Sequence, residues 1–156
     1  MKILITGAAG FIGYHTCLKL CQKNNLVIGL DNLNDYYDVN LKKSRLSNLQ
    51  KLSNFSFYKA DIKDEKKINN IFKSEKFDLV IHLAAQAGVQ YSISHPEVYV
   101  NSNLLGFYNI INSCIKNKIT HLIYASSSSV YGSNKKIPFK ESHQCSSPIS
   151  FYAATK

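Results

Sequence analysis

The stretch Lys2-Ile3-Leu4-Ile5-Thr6-Gly7-Ala8-Ala9-Gly10-Phe11-Ile12-Gly13 decides the fold. Ile3-Leu4-Ile5 is a short unbroken apolar run, the signature of a strand buried on both faces, and Thr6-Gly7 ends it at once. Past the glycines, Phe11, Tyr14, Leu18 and Cys21 recur at three- and four-residue steps. That spacing lines one face of a helix and predicts that those four side chains pack on a sheet. No charge falls between Lys2 and Lys19, as in a secretory leader, but the apolar run is too short for one, and a buried strand entering a glycine turn is the better reading.

Further apolar runs occur at Leu26 to Leu30, Phe55 to Tyr58, Leu79 to His82 and His121 to Ala125. Between them, Leu41, Leu46, Leu49 and Leu52 predict a second helix, Asp64 to Phe72 a third and Asn101 to Lys116 a long fourth. Strands alternating with helices require crossover connections, and right-handed crossovers give a parallel sheet covered on both faces, a doubly wound α/β fold. Residues 1–156 form one domain, with no internal repeat or low-complexity linker.

Composition narrows the partners. With 45% hydrophobic and 19% charged residues the chain can build a core, which excludes a disordered or collagen-like protein. The net charge of +9 comes from lysines that occur singly or in pairs, with Arg45 the one arginine, so solvated faces explain it better than nucleic-acid binding. Cys17 and Cys21 stand one helical turn apart while Cys114 and Cys145 are isolated, which fits neither a metal site nor a disulfide framework. Reduced thiols in a cytoplasmic protein are the simple reading, and no stretch approaches the roughly twenty apolar residues of a membrane helix.

Five groups of residues carry chemistry. Gly7, Gly10 and Gly13 follow the first strand and open the first helix, where dinucleotide-binding folds seat a pyrophosphate: Gly7 for the tight turn, Gly10 for close approach of backbone to phosphate, Gly13 for helix–strand packing. Asp31 ends the second strand, where a carboxylate accepts from the adenosine ribose hydroxyls and repels a 2'-phosphate; with no arginine beside it, NAD is favoured over NADP, the alternative being an ordinary turn aspartate. Asp61 and Ile62, after the third strand, either reach the adenine edge or belong to a loop or helix cap. Tyr152 and Lys156 stand at i and i+4, on one face if helical. A phenol of pKa about 10 becomes a base near neutrality only where positive charge stabilises its phenolate, and a lysine supplies such charge. A second Tyr-x-x-x-Lys, Tyr131 to Lys135, lies in turn-forming sequence and serves as a control for chance. Ser126 to Ser129 follow the fifth strand, at the carboxyl edge of the sheet where ligands gather, or form a plain polar loop.

These residues resemble the extended short-chain dehydrogenase/reductases that act on nucleotide sugars, and among them the UDP-glucuronate 4-epimerases. The likeness runs through Ile3 to Gly13, Leu30 to Asp38, His82 to Val89, Tyr124 to Gly132 and Tyr152 to Lys156. It implies a Rossmann-like parallel sheet of order 3-2-1-4-5, an NAD cofactor, a UDP-sugar substrate and a homodimer. By the same likeness Ser127, Tyr152 and Lys156 match the catalytic set, and Phe11, Ile12 and Asn32 join the glycines and Asp31 at the cofactor. Leu83, Ala84 and Ala85 match the loop along the dinucleotide, Asn103 an asparagine supporting cofactor and active site, and Ser128 and Gln90 positions facing substrate. Gln90 stands where the epimerases are expected to carry arginine. Ser128 and Ser129 replace the Asp-Glu pair that follows the catalytic threonine of related 4,6-dehydratases, and hydroxyls cannot serve as the acid and base that eliminate water.

The expected activity is epimerisation at carbon 4, UDP-glucuronate to UDP-galacturonate, through a transient ketone. A non-catalytic dinucleotide-binding module, or a dehydratase or reductase of the same fold, are the alternatives. Pro148-Ile149-Ser150 reads as a helix start with Ser150 as N-cap only six residues before Lys156, and so short a helix has little to hold it. The expectation is therefore an incomplete NAD-binding domain without its substrate domain, capable at most of holding cofactor.

Overall fold

Ile3, Leu4 and Ile5 form the middle strand of a five-stranded parallel sheet in a computed structural model that describes all 156 residues. The strands are β1 (Lys2–Thr6), β2 (Leu26–Asp31), β3 (Phe55–Lys59), β4 (Leu79–His82) and β5 (Leu122–Tyr124), in the order β3-β2-β1-β4-β5. β1 pairs with β2 on one side, Ile5 opposite Gly29, and with β4 on the other, Ile5 opposite Ile81. The order expected from the family resemblance is the one found.

Strand alternation sorts the apolar residues between two cores. Leu4, Ile28, Leu30 and Val80 point to one face, where Ile68, Ile71 and Phe72 of α3 (Glu65–Glu75) and Ile110 and Cys114 of α6 (Phe107–Lys116) cover them. Ile3, Ile5, Val27 and Leu79 point to the other, under Cys17 and Cys21 of α1 (Phe11–Gln22) and Leu46 and Leu49 of α2 (Val39–Leu49). Over β1, β2 and β4 both faces are thus closed, which explains why those strands read as continuous apolar runs, while the edge strand β5 leaves Ile123 and Tyr124 exposed.

Two helix faces differ from the sequence reading. In α1 Tyr14, Leu18 and Cys21 pack on the core as expected, but the fully buried line is Gly13, Cys17 and Cys21, and Phe11 is 66% exposed. The helix turns its smallest residues to the sheet because the glycine turn brings it too close for an aromatic ring. In α2 the buried line is Lys42, Leu46 and Leu49; Leu41 is exposed and Leu52 falls beyond the helix. A lysine in phase with the leucines is the signal that Leu41 and Leu52 obscured.

The long fourth helix is a composite. A π-helical segment, Val100–Gly106, precedes α6 and follows two short helices, α4 (Val89–Ser94) and α5 (Pro96–Tyr99), whose few residues carry no readable period. Such widened turns cluster at functional sites, and this one holds Asn103 buried. The last helix, α7 (Phe151–Ala154), begins at Ser150, whose Oγ accepts from the Ala153 N–H at 3.0 Å. The N-cap read from the sequence is present. No helix is long and apolar enough to cross a membrane, and all four cysteines are free thiols.

Candidate functional site

The glycine turn holds the first helix against the sheet at van der Waals limit. Gly7 has φ +71°, open to glycine at little cost, and a Cβ there would lie 2.9 Å from the Ala84 amide nitrogen. A Cβ on Gly13 would lie 2.0 Å from the Gly7 carbonyl oxygen, so helix and turn pack as the sequence requires. Gly10 is the N-cap of α1 and brings no capping side chain, and no acidic residue stands in the first turn. The amide end of the helix is therefore open to an anion. The side chains of Phe11 and Ile12 point outward, so their part in a site is confined to the backbone.

From this turn a cleft runs along the carboxyl edge of the sheet, and Gly7, Gly10, Asp31, Asn32, Asp61 and Ile62 all face it. Leu83, Ala84 and Ala85 form its other wall. Asp31 is buried; its Oδ2 accepts from the Ala9 N–H at 3.1 Å and its Oδ1 from the Leu33 N–H at 2.8 Å. Each oxygen keeps a lone pair for a ligand hydroxyl. Asp61 accepts from Asn32 Nδ2 at 3.1 Å and from the Lys63 N–H at 3.0 Å, while Asp64 caps α3. Asp61 is therefore not the helix cap; it is a loop residue that faces the cleft.

Two cations of α2 reach this region: Arg45 donates to the Ala9 carbonyl at 3.4 Å, and Lys42 donates to the Asn34 carbonyl at 2.8 Å; neither is hydrogen-bonded to Asp31. Burial lowers the Lys42 pKa, opposed by the charges of Asp31 and Asp35.

The other end of the cleft meets α7. Ala84 and Ala85 are shared with a small adjoining cavity that Lys156, His82, Phe107 and Tyr124 also line. Burial lowers the Lys156 pKa. Asn103 lies beneath: its Oδ1 accepts from the Gln86 N–H at 2.8 Å, and its Nδ2 donates to the Gln86 carbonyl and to Thr155 Oγ1, both at 3.0 Å. Tyr152 packs edge-on to Tyr99 at 6.0 Å between ring centres, and its hydroxyl makes no protein hydrogen bond. Tyr152 and Lys156 do not share a regular helical turn. The Lys156 N–H donates to the Ala153 carbonyl at 3.3 Å, three residues back, because the helix tightens at its end.

Ser127 caps a turn of 3-10 helix, Ser128–Tyr131, its Oγ accepting from the Ser129 N–H at 3.2 Å, and no hydrogen bond links it to Tyr152. Ser126 Oγ instead donates to the Lys156 carbonyl at 3.4 Å, tying the serine run to the end of α7. Ser128 and Gln90 are exposed, and neither lines the cleft. The control pair separates as expected: Tyr131 stacks on Phe139 and donates to the Lys140 carbonyl, while Lys135 is exposed.

Sequence reasoning missed Thr6 and His82. Thr6 Oγ1 accepts from the Leu83 and Ala84 N–H groups at 3.2 and 3.1 Å, so its own hydrogen goes to His82 Nδ1 at 2.8 Å, and the imidazole proton sits on Nε2. Burial, then the Lys156 charge, pushes the His82 pKa down to about 4. A polar residue closing each of two adjacent apolar strands was the available signal. Tyr36 and Gln86 also line the cleft; both lie within segments that carry the family likeness but were not assigned to the site.

Comparison with known proteins agrees with this geometry. The family model described as GDP-mannose 4,6 dehydratase matches residues 4–156. Protein CapI of Staphylococcus aureus is 49% identical over 156 residues, covering all of this chain and 46% of the relative. UDP-glucuronate 4-epimerase 4 of Arabidopsis thaliana is 46% identical over 157 residues, and the match covers 36% of it. Among solved structures, UDP-glucuronic acid 4-epimerase from Bacillus cereus, in complex with UDP-glucuronic acid and NAD, superposes with a TM-score of 0.91 at 34% identity over all of this chain and 49% of that one. The chain spans about half the length, or less, of the proteins it matches. With its glycine turn, its 3-2-1-4-5 sheet and its match from the first strand to Lys156, the chain belongs to the NAD-dependent nucleotide-sugar epimerase/dehydratase family.

Proposed function

We propose that the protein carrying this chain interconverts UDP-glucuronate and UDP-galacturonate by inverting carbon 4 through a transient 4-keto sugar, with NAD held in the cleft. The observation that carries this reading is the adjacency of two spaces, the cleft of Gly7, Asp31 and Asp61 and the cavity of Lys156, which share Ala84 and Ala85 as walls. The open first turn of α1, with no acidic residue, fits a diphosphate, and the free lone pairs of Asp31 fit the ribose hydroxyls of NAD. Asp61 and Ile62 would meet the adenine, Leu83 to Ala85 would lie along the dinucleotide, and Asn103 would hold that wall through Gln86. When bound, NAD supplies a reversible hydride acceptor at carbon 4.

The chain's own groups would manage the proton. The Tyr152 hydroxyl, free of protein partners, would take the proton of the sugar 4-hydroxyl and return it after the ketone has turned. Ser127 would hydrogen-bond that oxygen, and Lys156 would hold the nicotinamide ribose and keep positive charge beside the phenolate. Ser128 and Gln90 would meet the sugar. Ser128 and Ser129 offer no carboxylate after Ser127, so loss of water is disfavoured and epimerisation is preferred to 4,6-dehydration. UDP-glucuronic acid and NAD in the Bacillus cereus relative support the choice of substrate and cofactor.

Incubation of the whole protein with UDP-glucuronate should yield UDP-galacturonate without net NADH, and Tyr152→Phe should lower kcat by about 10²- to 10⁴-fold. Bound dinucleotide with no epimer formed would leave only a binding module, and NADH formed mole for mole would make the protein a dehydrogenase.

A further inference from the structure

Tyr152 stands in the first turn of α7, two residues after its N-cap Ser150. Two buried side chains grip that one residue by its backbone. At its amide end, the Tyr152 N–H donates to Ser92 Oγ at 3.2 Å, and Ser92 in turn donates to the Val89 carbonyl at 2.6 Å. At its carbonyl end, Thr155 Oγ1 donates to the Tyr152 oxygen at 2.9 Å while accepting from Asn103 Nδ2 at 3.0 Å. Thr155 is 8% exposed and Asn103 4%, so water replaces neither bond.

The carbonyl grip matters more, because Asn103 also holds both backbone groups of Gln86, a residue of the cleft wall. The path Gln86, Asn103, Thr155, Tyr152 is an unbroken line of hydrogen bonds from that wall to the residue read above as the proton carrier. Asn103 is aimed into this path by the π-helical turn of Val100–Gly106. A threonine is needed at 155 for its hydroxyl, which is at once acceptor and donor, and valine has the same shape with neither capacity.

We infer that Thr155 is a positioning residue, whose hydroxyl registers Tyr152 against the cleft wall through Asn103. This rests on the reading of Tyr152 under the proposed function. The test uses the whole protein with Thr155→Val and Thr155→Ser. The valine variant should lower kcat by about 10- to 100-fold, the range in which small misplacements of reacting groups fall, with KM changed less than about threefold. Amide hydrogen exchange across 151–156 should be faster than in the parent. Serine restores the hydroxyl and should bring kcat within about threefold of the parent and exchange back to its level.

Parental kcat in the valine variant, a serine variant as impaired as the valine one, or a loss falling on KM would each overturn the inference. Tyr152→Phe separates the two levels: if it keeps parental turnover, the reading of Tyr152 fails, whereas if it is inactive and Thr155→Val is not impaired, only the positioning role fails. Should the valine variant not fold, Ser92→Ala releases the other end of Tyr152 and is judged by the same fall in kcat and rise in exchange.

Discussion

Thr6 Oγ1 donates to His82 Nδ1 at 2.8 Å, so two adjacent strands of the sheet end in a bonded polar pair at the foot of the cleft. The hydroxyl is fully used, since it also accepts from the amides of Leu83 and Ala84. The wall of the cleft after β4 therefore takes its course from a threonine at the end of β1, and that threonine is held in turn by a neutral imidazole.

The pair makes stability depend on pH. The His82 pKa lies near 4 in the folded protein against 6.5 when unfolded, so between these values the unfolded chain binds a proton that the folded one does not. Stability is then complete above about pH 6.5 and falls as pH drops towards 4, by about 3 kcal/mol in all. Denaturant melts at several pH values should show the slope. His82→Asn, which puts an acceptor near Nδ1 without a titrating group, should flatten it in that window, while the carboxylates common to both proteins cancel in the difference. An unchanged slope in the variant would remove His82 as its source.

Asp31 is expected to decide between the two nicotinamide dinucleotides by charge. Its carboxylate forms no ion pair, and Lys42 and Arg45 donate instead to the backbone carbonyls of Asn34 and Ala9. Asp31→Asn keeps one oxygen for the Ala9 or Leu33 amide and removes the charge. Affinity for NAD should fall by about 10- to 100-fold, the worth of one or two charge-assisted hydrogen bonds, while affinity for NADP should fall less or rise. Titration of both dinucleotides against parent and variant reads the ratio, and an unchanged preference would place discrimination elsewhere.

These two sites differ in how far the sequence revealed them, for a physical reason. The parallel sheet was legible because burial on both faces forces unbroken apolar runs such as Ile3 to Ile5, and Gly7, Asp31 and Asp61 were legible because a turn after a strand restricts which residues can stand there. Ser150 was legible as a cap because its role is local. Thr6, His82 and Thr155 were not, since each acts through a partner distant in the chain: His82 lies 76 residues from Thr6 and Thr155 lies 52 from Asn103. The faces of α1 and α2 were misjudged through hydrophobicity. Close packing at the glycine turn selected Cys17 over Phe11, and acceptors on Asn34 allowed Lys42 to occupy a buried position that leucine spacing assigned to its neighbour.

Tyr36 is expected to set how long the proposed dinucleotide stays. It lies in the loop after β2, faces the cleft, and donates its hydroxyl to the Ala87 carbonyl at 3.0 Å, beyond the opposite wall. Its ring meets that of Tyr91 at 5.0 Å, so the loop from Asn32 to Asp38 is fastened to the α4 side by one hydrogen bond and one aromatic contact. If that fastening retains the ligand, loosening it should speed release. Tyr36→Phe keeps the ring contact and deletes the bond, worth about 0.5–1.5 kcal/mol, so the dissociation rate of NAD should rise about 2- to 12-fold, with the association rate nearly unchanged. Tyr36→Ala removes both contacts and should accelerate release further. Stopped-flow displacement measures both rates, and equal dissociation from parent and Tyr36→Phe would mean that the loop is not what retains the ligand.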